Sequence, residues 1–236
     1  RRPPRSTPKP SSAASDVYKR QLRNNEWTQN QSTSFLGSRL YGKTIGIVGM
    51  GAVGSGVARR AVACDMNVIY HKRTRLSPAE EITFGNAEYK ALEDLFMESD
   101  IVVLCTSLTN DTKGLVGEEL LSLMKPTSIL INTSRGPILD EEALENALRD
   151  KKILGAGLDV YEVEVPEANP GPRKGLFDLE NVVMTPHIGS AARETRDEMA
   201  MRAVHNIERF LDGKRPFDVL NPEVYGEAAS NDEVIG

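Results

Sequence analysis

The sequence predicts an α/β fold built on a doubly wound parallel sheet. From Tyr41 onward, short runs rich in β-forming residues alternate with helical patterns. Most of these runs are apolar throughout, which is typical of strands buried on both faces of a parallel sheet. One of them leads directly into a glycine-rich loop, GMGAVG at residues 49–54, and then into a helix. Strand, helix and strand repeated in this order imply right-handed crossovers with helices on both faces of the sheet.

Six strands are expected along the chain, separated by helices. They are TIGIVG (44–49), NVIYH (67–71), DIVVLC (100–105), SILIN (128–132), ILGAGLD (153–159) and NVVMTP (181–186). Asp140 is a favourable N-cap for one of the helices between them, because its carboxylate can accept hydrogen bonds from the first free backbone N–H groups. Leu144, Ala147 and Leu148 form the apolar face of that helix.

A last helix is expected to begin near Ala191 and to end at Gly213, a favourable C-terminal cap. Its apolar residues recur at helical spacing and predict a buried face. They are Met199, Ala203, Ile207 and Leu211.

Composition excludes several classes of protein. No apolar run in the 236 residues approaches the length that a bilayer-spanning helix needs, so no membrane partner is expected. A formal net charge of -5 gives no overall attraction to nucleic acid. Cys64 and Cys105 lie in apolar surroundings and are expected to be inert buried thiols, which favours a reducing, cytoplasmic compartment. No metal site is expected.

The first residues, RRPPRSTPKPSSAAS, are rich in Pro, Ser and Arg and lack apolar periodicity. Such a segment cannot bury enough apolar surface to offset the entropy of ordering, so residues 1–20 are predicted to be a disordered tail. A transit peptide is the alternative, but no amphipathic helix can be drawn through these residues. The absence of an initiating Met suggests a fragment.

The glycine-rich loop predicts a dinucleotide site. Gly49 makes the tight turn, Gly51 lets the backbone approach a pyrophosphate, and Gly54 permits close packing of the helix on the strand. The helix N-terminus can then receive the phosphate charge. A purely structural turn is the alternative, and the preceding strand and following helix disfavour it.

The end of the second predicted strand indicates the type of dinucleotide. In an NAD site an acidic residue at this position binds the ribose hydroxyls, but here the chain reads YHKRTR and His71 occupies that place. Lys72, Arg73, Thr74 and Arg75 follow, and they offer the positive charge and donors that an adenosine 2′-phosphate needs. NADPH is therefore favoured over NADH. The alternative is a solvated basic turn.

Three polar residues follow three successive predicted strands. Arg135 comes after the fourth strand, Glu164 after the fifth and His187 after the sixth, so all three are expected at the rim that carries the glycine loop. A His paired with a carboxylate can donate a proton to a carbonyl oxygen that is being reduced. An Arg can hold a substrate carboxylate in a two-pronged contact. Each residue alone could equally be an ordinary polar group of a loop.

Four stretches together resemble the D-isomer-specific 2-hydroxyacid dehydrogenase family. GKTIGIVGMGAVG, INTSRGPILDEEAL, GAGLDVYEVEVP and TPHIGSA occur in the order and spacing of that family, and the likeness covers about residues 21–222. CTSLTNDTKGL and HKRTR most resemble the NADPH-preferring glyoxylate/hydroxypyruvate reductases. The resemblance implies reduction of glyoxylate, hydroxypyruvate or a similar 2-oxo acid to the D-2-hydroxy acid.

The resemblance also implies residue roles. Arg135 would bind the substrate, Glu164 and His187 would form the acid/base pair, and Asp159 would lie near the nicotinamide. The implied cofactor-binding set is Gly49, Gly51, Ala52, Val53, Gly54, Lys72, Arg73, Thr74, Thr106, Ser134, Asp159 and Gly189.

The resemblance further implies how the chain is organised. Residues 41–213 would form the dinucleotide-binding domain, residues 21–40 a linking helix and connector, and residues 214–236 a tail toward a second, flavodoxin-like substrate lobe. Only remnants of that lobe are expected, because family members carry most of it before the point where LRNNEW begins. Since the lobe closes the cleft and excludes water, this chain is expected to bind cofactor better than it turns over substrate. A homodimer joined through the nucleotide domains is also implied.

Two departures from the family pattern leave the reacting groups in place. The family's proline after the cysteine-bearing strand is replaced in CTSL, and Val165 stands where proline commonly follows the glutamate.

Two rival functions share the fold. One is an NAD(P)(H)-sensing scaffold resembling the C-terminal-binding-protein corepressors, which sequence alone separates poorly from the enzyme. The other is a formate-dehydrogenase-like enzyme, which is disfavoured because formate oxidation requires no proton donor of the His and Glu kind.

Overall fold

A single parallel sheet organises the protein. The structure, a computed structural model, describes residues 37–164 and 171–225. The sheet has seven strands in the order β3-β2-β1-β4-β5-β6-β7, and every neighbouring pair is parallel. The strands are β1 Thr44–Val48, β2 Asn67–His71, β3 Glu88–Tyr89, β4 Ile101–Leu104, β5 Ile129–Asn132, β6 Gly155–Leu158 and β7 Val182–Met184. The order reverses direction between β1 and β4, where a doubly wound sheet binds its ligand.

Helices connect the strands and cover the sheet. The α-helices are α1 Ala52–Ala63, α2 Pro78–Thr83, α3 Leu92–Glu98, α4 Glu118–Leu123, α5 Glu141–Arg149 and α6 Arg193–Leu211. Within residues 37–164 and 171–225, three short 3₁₀ helices occupy loops, namely Gly136–Ile138, Lys174–Asp178 and Pro222–Tyr225. Asp140 caps α5 as expected, because its carboxylate accepts from the N–H groups of Glu142 and Ala143 at 2.9 and 3.0 Å.

The register of the sheet aligns the last residues of six strands. Val48 is paired with His71 on one side and with Leu104 on the other. The alignment continues from Leu104 to Asn132, then to Leu158 and finally to Met184. The loops that follow these six residues therefore emerge at one rim of the sheet.

Two buried apolar clusters fill the space between the sheet and its helices. The first holds Leu104 and Leu130 of the sheet against residues of α3, α4 and α5. The second holds Ile47 and Tyr70 of the sheet against α1. Leu144, Ala147 and Leu148 are buried in the first cluster, which confirms the apolar face predicted for α5.

Close packing between β1 and α1 depends on two glycines. A Cβ atom at Gly54 would lie 2.0 Å from the carbonyl oxygen of Gly49, a distance that no side chain can occupy. Gly49 itself has a φ of +99°. A Cβ atom added at Gly49 would lie less than 3 Å from backbone atoms of Cys105 and Thr106. The chain thus turns sharply from strand to helix only because these positions lack side chains.

All six predicted strands are present, and both ends of each lie within two residues of those expected. The sequence did not indicate β3, because two residues that pair at a sheet edge leave no readable apolar run. Cys105 is partly buried, but Cys64 is exposed at the end of α1, so its predicted burial was wrong. The apolar residues before Cys64 belong to the buried face of the helix, whereas Cys64 lies just past its last turn.

The described chain divides into two compact units, the first ending at His187 and the second beginning at Ile188. Helix α6 belongs to the second unit and has the predicted position. Its predicted burial was wrong, because none of its residues is buried and the side chains of Met199, Ile207 and Leu211 are largely exposed. The apolar periodicity marks a helix face correctly, but no part of the described chain covers that face.

Several expectations fall wholly or partly outside the described residues. Residues 1–20, 21–36 and 226–236 are among them, so the tail and most of the linking helix stay predictions. Residues 37–40 contain no helix, and residues 214–225 contain one 3₁₀ turn. Within the described part of the chain, no helix combines the length and the apolar character needed to cross a bilayer.

We expect the Leu104→Ala variant to lower the free energy of unfolding by about 2–5 kcal/mol, because the side chain is fully buried in the central strand β4. Urea unfolding followed by circular dichroism measures the change. Leu154→Ala serves as the control, since that side chain is half exposed and its truncation should cost far less. Equal losses in the two variants would contradict the described core.

Candidate active site

A cavity of about 490 Å³ lies at the carboxyl ends of β2, β1 and β4. It is formed by the glycine loop, by the basic loop after β2 and by the loop after β4. Six of the predicted cofactor-binding residues line it, namely Gly49, Gly51, Lys72, Arg73, Thr74 and Thr106. The pocket thus coincides with the position where the strand order reverses.

The N-terminus of α1 opens into this part of the molecule without a capping side chain. Gly51 is the N-cap residue, its position makes no side-chain hydrogen bond, and the first turn contains no acidic residue. Ala52 and Val53 of that turn are exposed, whereas Gly54 is buried. Free backbone N–H groups and the helix dipole make such an end suited to a phosphate.

Packing within the protein does not require a glycine at position 51. A Cβ atom added there would meet no protein atom within 4 Å, in contrast to the tight contacts at Gly49 and Gly54. Its φ is -88°, which any residue can adopt. The open space above Gly51 is what a dinucleotide pyrophosphate requires, so the residues present fit a nicotinamide cofactor.

The basic loop presents two cations to the pocket. Among the described residues, Lys72 and Arg73 form no ion pair, whereas Arg75 is bound by Glu81 at 2.8 Å. His71 lies at the start of the loop, where its Nδ1 is 2.9 Å from the carbonyl oxygen of Lys90. Lys72 and Arg73 are therefore available to an anion, and their predicted contact with a 2′-phosphate stays a prediction.

The loop after β4 contributes polar groups that the sequence analysis did not name. Ser107, Thr109 and Thr112 line the pocket, and the Thr112 hydroxyl donates to the carbonyl of Ser107 at 2.7 Å. Cys105 lies beside them, and burial raises the pKa of its thiol to about 11. The thiol is therefore protonated at neutral pH and is not a nucleophile.

A buried asparagine shapes the loop that carries Arg135. The Oδ1 of Asn132 accepts from the backbone N–H and the hydroxyl of Ser134, and its Nδ2 donates to the carbonyl of Arg135 at 3.1 Å. Ser134 is consequently buried beneath the loop, while Arg135 is exposed. The Arg135 guanidinium donates to the carbonyl of Ser134 at 2.6 Å, and other N–H groups of its fork are left for a ligand.

The Arg135 loop is packed directly against the loop that carries Glu164. A Cβ atom at Gly136 would lie 1.8 Å from the backbone of Tyr161. The carboxylate of Glu141, at the start of α5, then binds the backbone N–H groups of Glu162 and Arg173 at 2.7 and 2.9 Å. These contacts bring the loops after β5 and β6 together.

Glu164 and His187 form a hydrogen-bonded pair. The Nδ1 of His187 lies 2.8 Å from Oε2 of Glu164. The other oxygen of the carboxylate, Oε1, accepts from the backbone N–H of Tyr161 at 3.0 Å, so both oxygens are held. Because Nδ1 faces the carboxylate, Nε2 is the ring nitrogen left for a substrate.

The carbonyl of Thr185 supports the backbone at His187. It accepts the Tyr161 hydroxyl at 2.7 Å and the N–H of His187 at 3.1 Å. His187 has a φ of +51°, a left-handed conformation that is unfavourable for a residue with a side chain. Burial and the nearby Asp159 carboxylate raise the pKa of Tyr161 to about 12, so its hydroxyl remains a donor.

Asp159 lies between β6 and β7. It is 7% exposed and accepts a short hydrogen bond from the Thr185 hydroxyl. Asp159 is thus tied to the residue that supports the His187 backbone. Its predicted place near a nicotinamide stays a prediction, as does the predicted role of Gly189, which lies in the second unit.

The predicted site residues therefore fall into two groups along one rim. The glycine loop, the basic loop and Thr106 form the pocket, while Ser134, Arg135, Asp159, Glu164 and His187 lie at the ends of β5, β6 and β7. Asn132, Tyr161 and Thr185 are positioning residues that were not predicted from the sequence. An Asn at the last position of a buried strand was a readable signal, whereas no pattern indicated the pairing of Tyr161 with Thr185.

Among the described residues, no cluster of His, Cys, Asp and Glu could hold a metal ion.

Comparison with known proteins agrees with this geometry. Residues 13–189 match the model of the D-isomer specific 2-hydroxyacid dehydrogenase, NAD binding domain. The chain belongs to this family. It is 46% identical over 207 residues to the glyoxylate reductase of Pyrococcus furiosus, covering 86% of this chain and 60% of that protein. It is 48% identical over 190 residues to the glyoxylate reductase of Thermococcus kodakarensis, covering 80% of this chain and 55% of that one.

Solved structures of the family share the fold. The TT0316 protein of Thermus thermophilus superposes with a TM-score of 0.75 at 40% identity, over 89% of this chain and 63% of that one. A glyoxylate reductase from Paecilomyes thermophila gives a TM-score of 0.70 at 37% identity, over 83% and 56% of the two chains. The chain thus spans about 60% of the length of the curated relatives it matches.

We expect the Gly51→Ala variant to lose affinity for a nicotinamide dinucleotide, measured with NADPH, by about tenfold or more, because the new methyl group would fill the space that a pyrophosphate requires. Its thermal unfolding should be unchanged, since the Cβ meets no protein atom. Fluorescence titration measures the affinity, and Gly56→Ala in the same helix is the control for helix stability. A variant that binds NADPH like the unmodified chain would show that the cofactor does not approach Gly51.

Proposed function

We propose that this chain is the nucleotide-binding part of an NADPH-dependent reductase that converts a small 2-oxo acid, glyoxylate or hydroxypyruvate, to the D-2-hydroxy acid. The observation that carries the proposal is the His187–Glu164 pair, with Nδ1 and Oε2 2.8 Å apart. The pair lies at the same rim of the sheet as the pocket lined by the glycine loop. The glyoxylate reductases to which the chain is 46–48% identical support the substrate class.

His187 would supply the proton. When a carbonyl receives a hydride, its oxygen becomes an alkoxide and needs a donor close by. The Glu164 carboxylate stabilises the charged imidazolium and fixes the orientation of its ring. Since Tyr161 holds the second oxygen of that carboxylate, the pair is oriented before substrate arrives.

Arg135 would bind the substrate carboxylate. Its side chain is exposed at the end of β5, and its backbone is fixed by Asn132 beneath it. A guanidinium can hold a carboxylate through two parallel hydrogen bonds, which orients the adjacent carbonyl. This contact would select small acids that carry the carboxylate next to the reacting carbonyl.

The cofactor would supply the hydride from its reduced nicotinamide. The chain's own contribution is to bind the pyrophosphate at the N-terminus of α1 and the adenosine 2′-phosphate at Lys72, Arg73 and Thr74. Family membership does not decide between the two cofactors. One solved relative is an acyclic imino acid reductase in complex with NADPH, and another is a D-lactate dehydrogenase with NAD⁺. The basic loop is what supports NADPH, with NADH as the weaker ligand.

We also propose a cytoplasmic homodimer. The exposed apolar side chains of α6, including Met199, Ile207 and Phe210, support association with another protein surface. Contiguous exposed apolar side chains commonly mark interaction surfaces. Light scattering of the purified complete gene product tests the dimer. A monomer at micromolar concentration would contradict it.

We expect NADPH to bind this chain more tightly than NADH, and Arg73→Ala to narrow the difference by about tenfold. The reason is the loss of a charge-assisted contact with the 2′-phosphate, while the NADH affinity should hardly change. Fluorescence titration with both cofactors measures the preference. Arg59→Ala removes the same charge from an exposed position of α1 and serves as the control. Equal or tighter binding of NADH by the unmodified chain would refute the preference.

We expect His187→Ala to lower the turnover of glyoxylate or hydroxypyruvate by about 10²–10⁴-fold, the usual contribution of a general acid. The dissociation constant for NADPH should be nearly unchanged, because the ring lies at the end of β7 and not in the pocket. Turnover is measured on the complete gene product as loss of reduced-nicotinamide absorbance. His205→Ala, at an exposed position of α6, is the matched control. Full activity of the His187 variant would remove this residue from the mechanism.

A further inference from the structure

The loop that carries the proposed phosphate-binding residues has almost no hydrogen bonds of its own. Residues 72–75 belong to no helix or strand, and among the described residues none of their backbone groups forms a hydrogen bond. A loop of this kind must be held by side chains if it is to present Lys72, Arg73 and Thr74 in one geometry. The side chains that could do so lie beneath and behind the loop.

Tyr70 lies beneath the loop. It is the penultimate residue of β2, its side chain is fully buried, and its hydroxyl accepts from the backbone N–H of Leu76 at 2.9 Å. The same hydroxyl donates to Oε1 of Glu81 at 2.7 Å. Because a phenol has one proton to donate, the direction of both hydrogen bonds is fixed.

Glu81 lies behind the loop, on α2. Its carboxylate binds Arg75 in a two-pronged contact, with Nε at 2.8 Å and Nη2 at 3.0 Å. The hydrogen bonds from Arg75 and Tyr70 hold the pKa of Glu81 below its usual range. Tyr70, Arg75 and Glu81 thus form one connected bracket, which reaches the loop at Arg75 and at Leu76.

The two ends of the loop are also fixed. The His71 ring stacks on Tyr89 with centroids 5.7 Å apart and contacts the carbonyl of Lys90. At the other end Ser77 begins α2 in a reciprocal capping arrangement with Glu80. The bracket therefore determines the path of the chain between two anchored points.

Arg75 has a different neighbourhood from Lys72 and Arg73. It does not line the nucleotide pocket but a separate surface crevice, which it shares with Glu81. The sequence KRTR offers two arginines of equal appearance, and the structure separates them. Arg73 faces the pocket, whereas the Nε and Nη2 edge of the Arg75 guanidinium is occupied by Glu81.

We infer that Tyr70, Glu81 and Arg75 are positioning residues that determine selectivity for the 2′-phosphate by holding residues 72–74 toward the pocket, and that Arg75 does not bind the phosphate itself. This inference rests on the proposed use of NADPH. It assigns a function to three residues outside the pocket, and it predicts that changes among them alter nucleotide selectivity without altering the phosphate ligands.

Electrostatics and positioning predict opposite results for Glu81. Replacing Glu81 with Gln removes a negative charge near the proposed phosphate site, and attraction alone would then strengthen binding of a phosphate. Loss of the bracket would weaken it. Tyr70→Phe changes no charge, so any weakening in that variant reports positioning alone.

The experiment measures the affinities of 2′,5′-ADP and 5′-ADP by isothermal titration calorimetry on the full chain. We expect Tyr70→Phe and Glu81→Gln each to weaken 2′,5′-ADP by about tenfold, the equivalent of one or two buried hydrogen bonds, and to leave 5′-ADP within about twofold. Glu145→Gln is the matched control. Like Glu81, Glu145 accepts hydrogen bonds at both carboxylate oxygens, in its case from Arg149 and Arg173, but it lies on α5 and does not line the pocket. Circular dichroism melting checks that each variant is folded. The Arg75→Gln variant breaks the Arg75–Glu81 ion pair at the surface and leaves the buried Tyr70 side chain in place.

A double-mutant cycle separates a bracket from a direct ligand. If Arg75 acts through Glu81, Arg75→Gln combined with Glu81→Gln should lose no more selectivity than either single variant. If Arg75 binds the phosphate itself, its replacement will weaken 2′,5′-ADP further in the Glu81→Gln background, and the inference is wrong. Tighter binding of 2′,5′-ADP by Glu81→Gln, or unchanged binding by a folded Tyr70→Phe, would also overturn it.

Different results would overturn the use of NADPH and the role of the bracket. Equal affinities of the unmodified chain for 2′,5′-ADP and 5′-ADP would overturn the NADPH proposal and the bracket's role with it. A clear preference in the unmodified chain that persists in all three single variants would overturn the bracket alone and leave the NADPH proposal standing.

Discussion

The in-register parallel sheet is the constraint on which the site depends. Hydrogen bonding aligns the last residues of six strands, from His71 through Val48 to Met184. A shift of one residue in any of these pairs would exchange the side chains that a strand presents to the two helical layers, so the register is set by the same apolar side chains that form the core. The loops that bear the proposed chemistry lie together because the strands beneath them cannot slide.

Buried polar side chains then supply what the sheet does not. Loops at a rim leave the regular ladder, and their backbone groups need other partners. The Asn132 amide binds the carbonyl of Arg135, the Tyr161 hydroxyl binds the carbonyl of Thr185 that also accepts the N–H of His187, and the Tyr70 hydroxyl accepts from the N–H of Leu76. Within the described residues no buried side-chain polar atom lacks a hydrogen-bond partner. The precision of the site therefore comes from a second set of residues, distinct from those that would contact ligands.

This division explains what the sequence could and could not predict. Continuous apolar runs predicted the strands, and the position of Arg135, Glu164 and His187 after strand ends predicted the shared rim, because both follow from local pattern and the geometry of parallel sheets. The support of His187 by Tyr161 joins residues more than twenty positions apart, and no periodicity encodes such a contact. The exposed face of α6 was misread for a related reason, since an amphipathic pattern shows that a face is apolar but not what covers it.

The arrangement of the two groups along the rim bears on the size of the ligand. The pocket lies at β2, β1 and β4, whereas His187 follows β7, which is four strand positions from β1. At about 4.8 Å per strand this separation is about 19 Å, before any allowance for the twist of the sheet. A mononucleotide held at the glycine loop would leave the His187–Glu164 pair without a reactive group beside it. An extended ligand bound at one end of the rim can bring a reactive group to the other end, and a dinucleotide, whose reactive ring is remote from its adenosine, has that form.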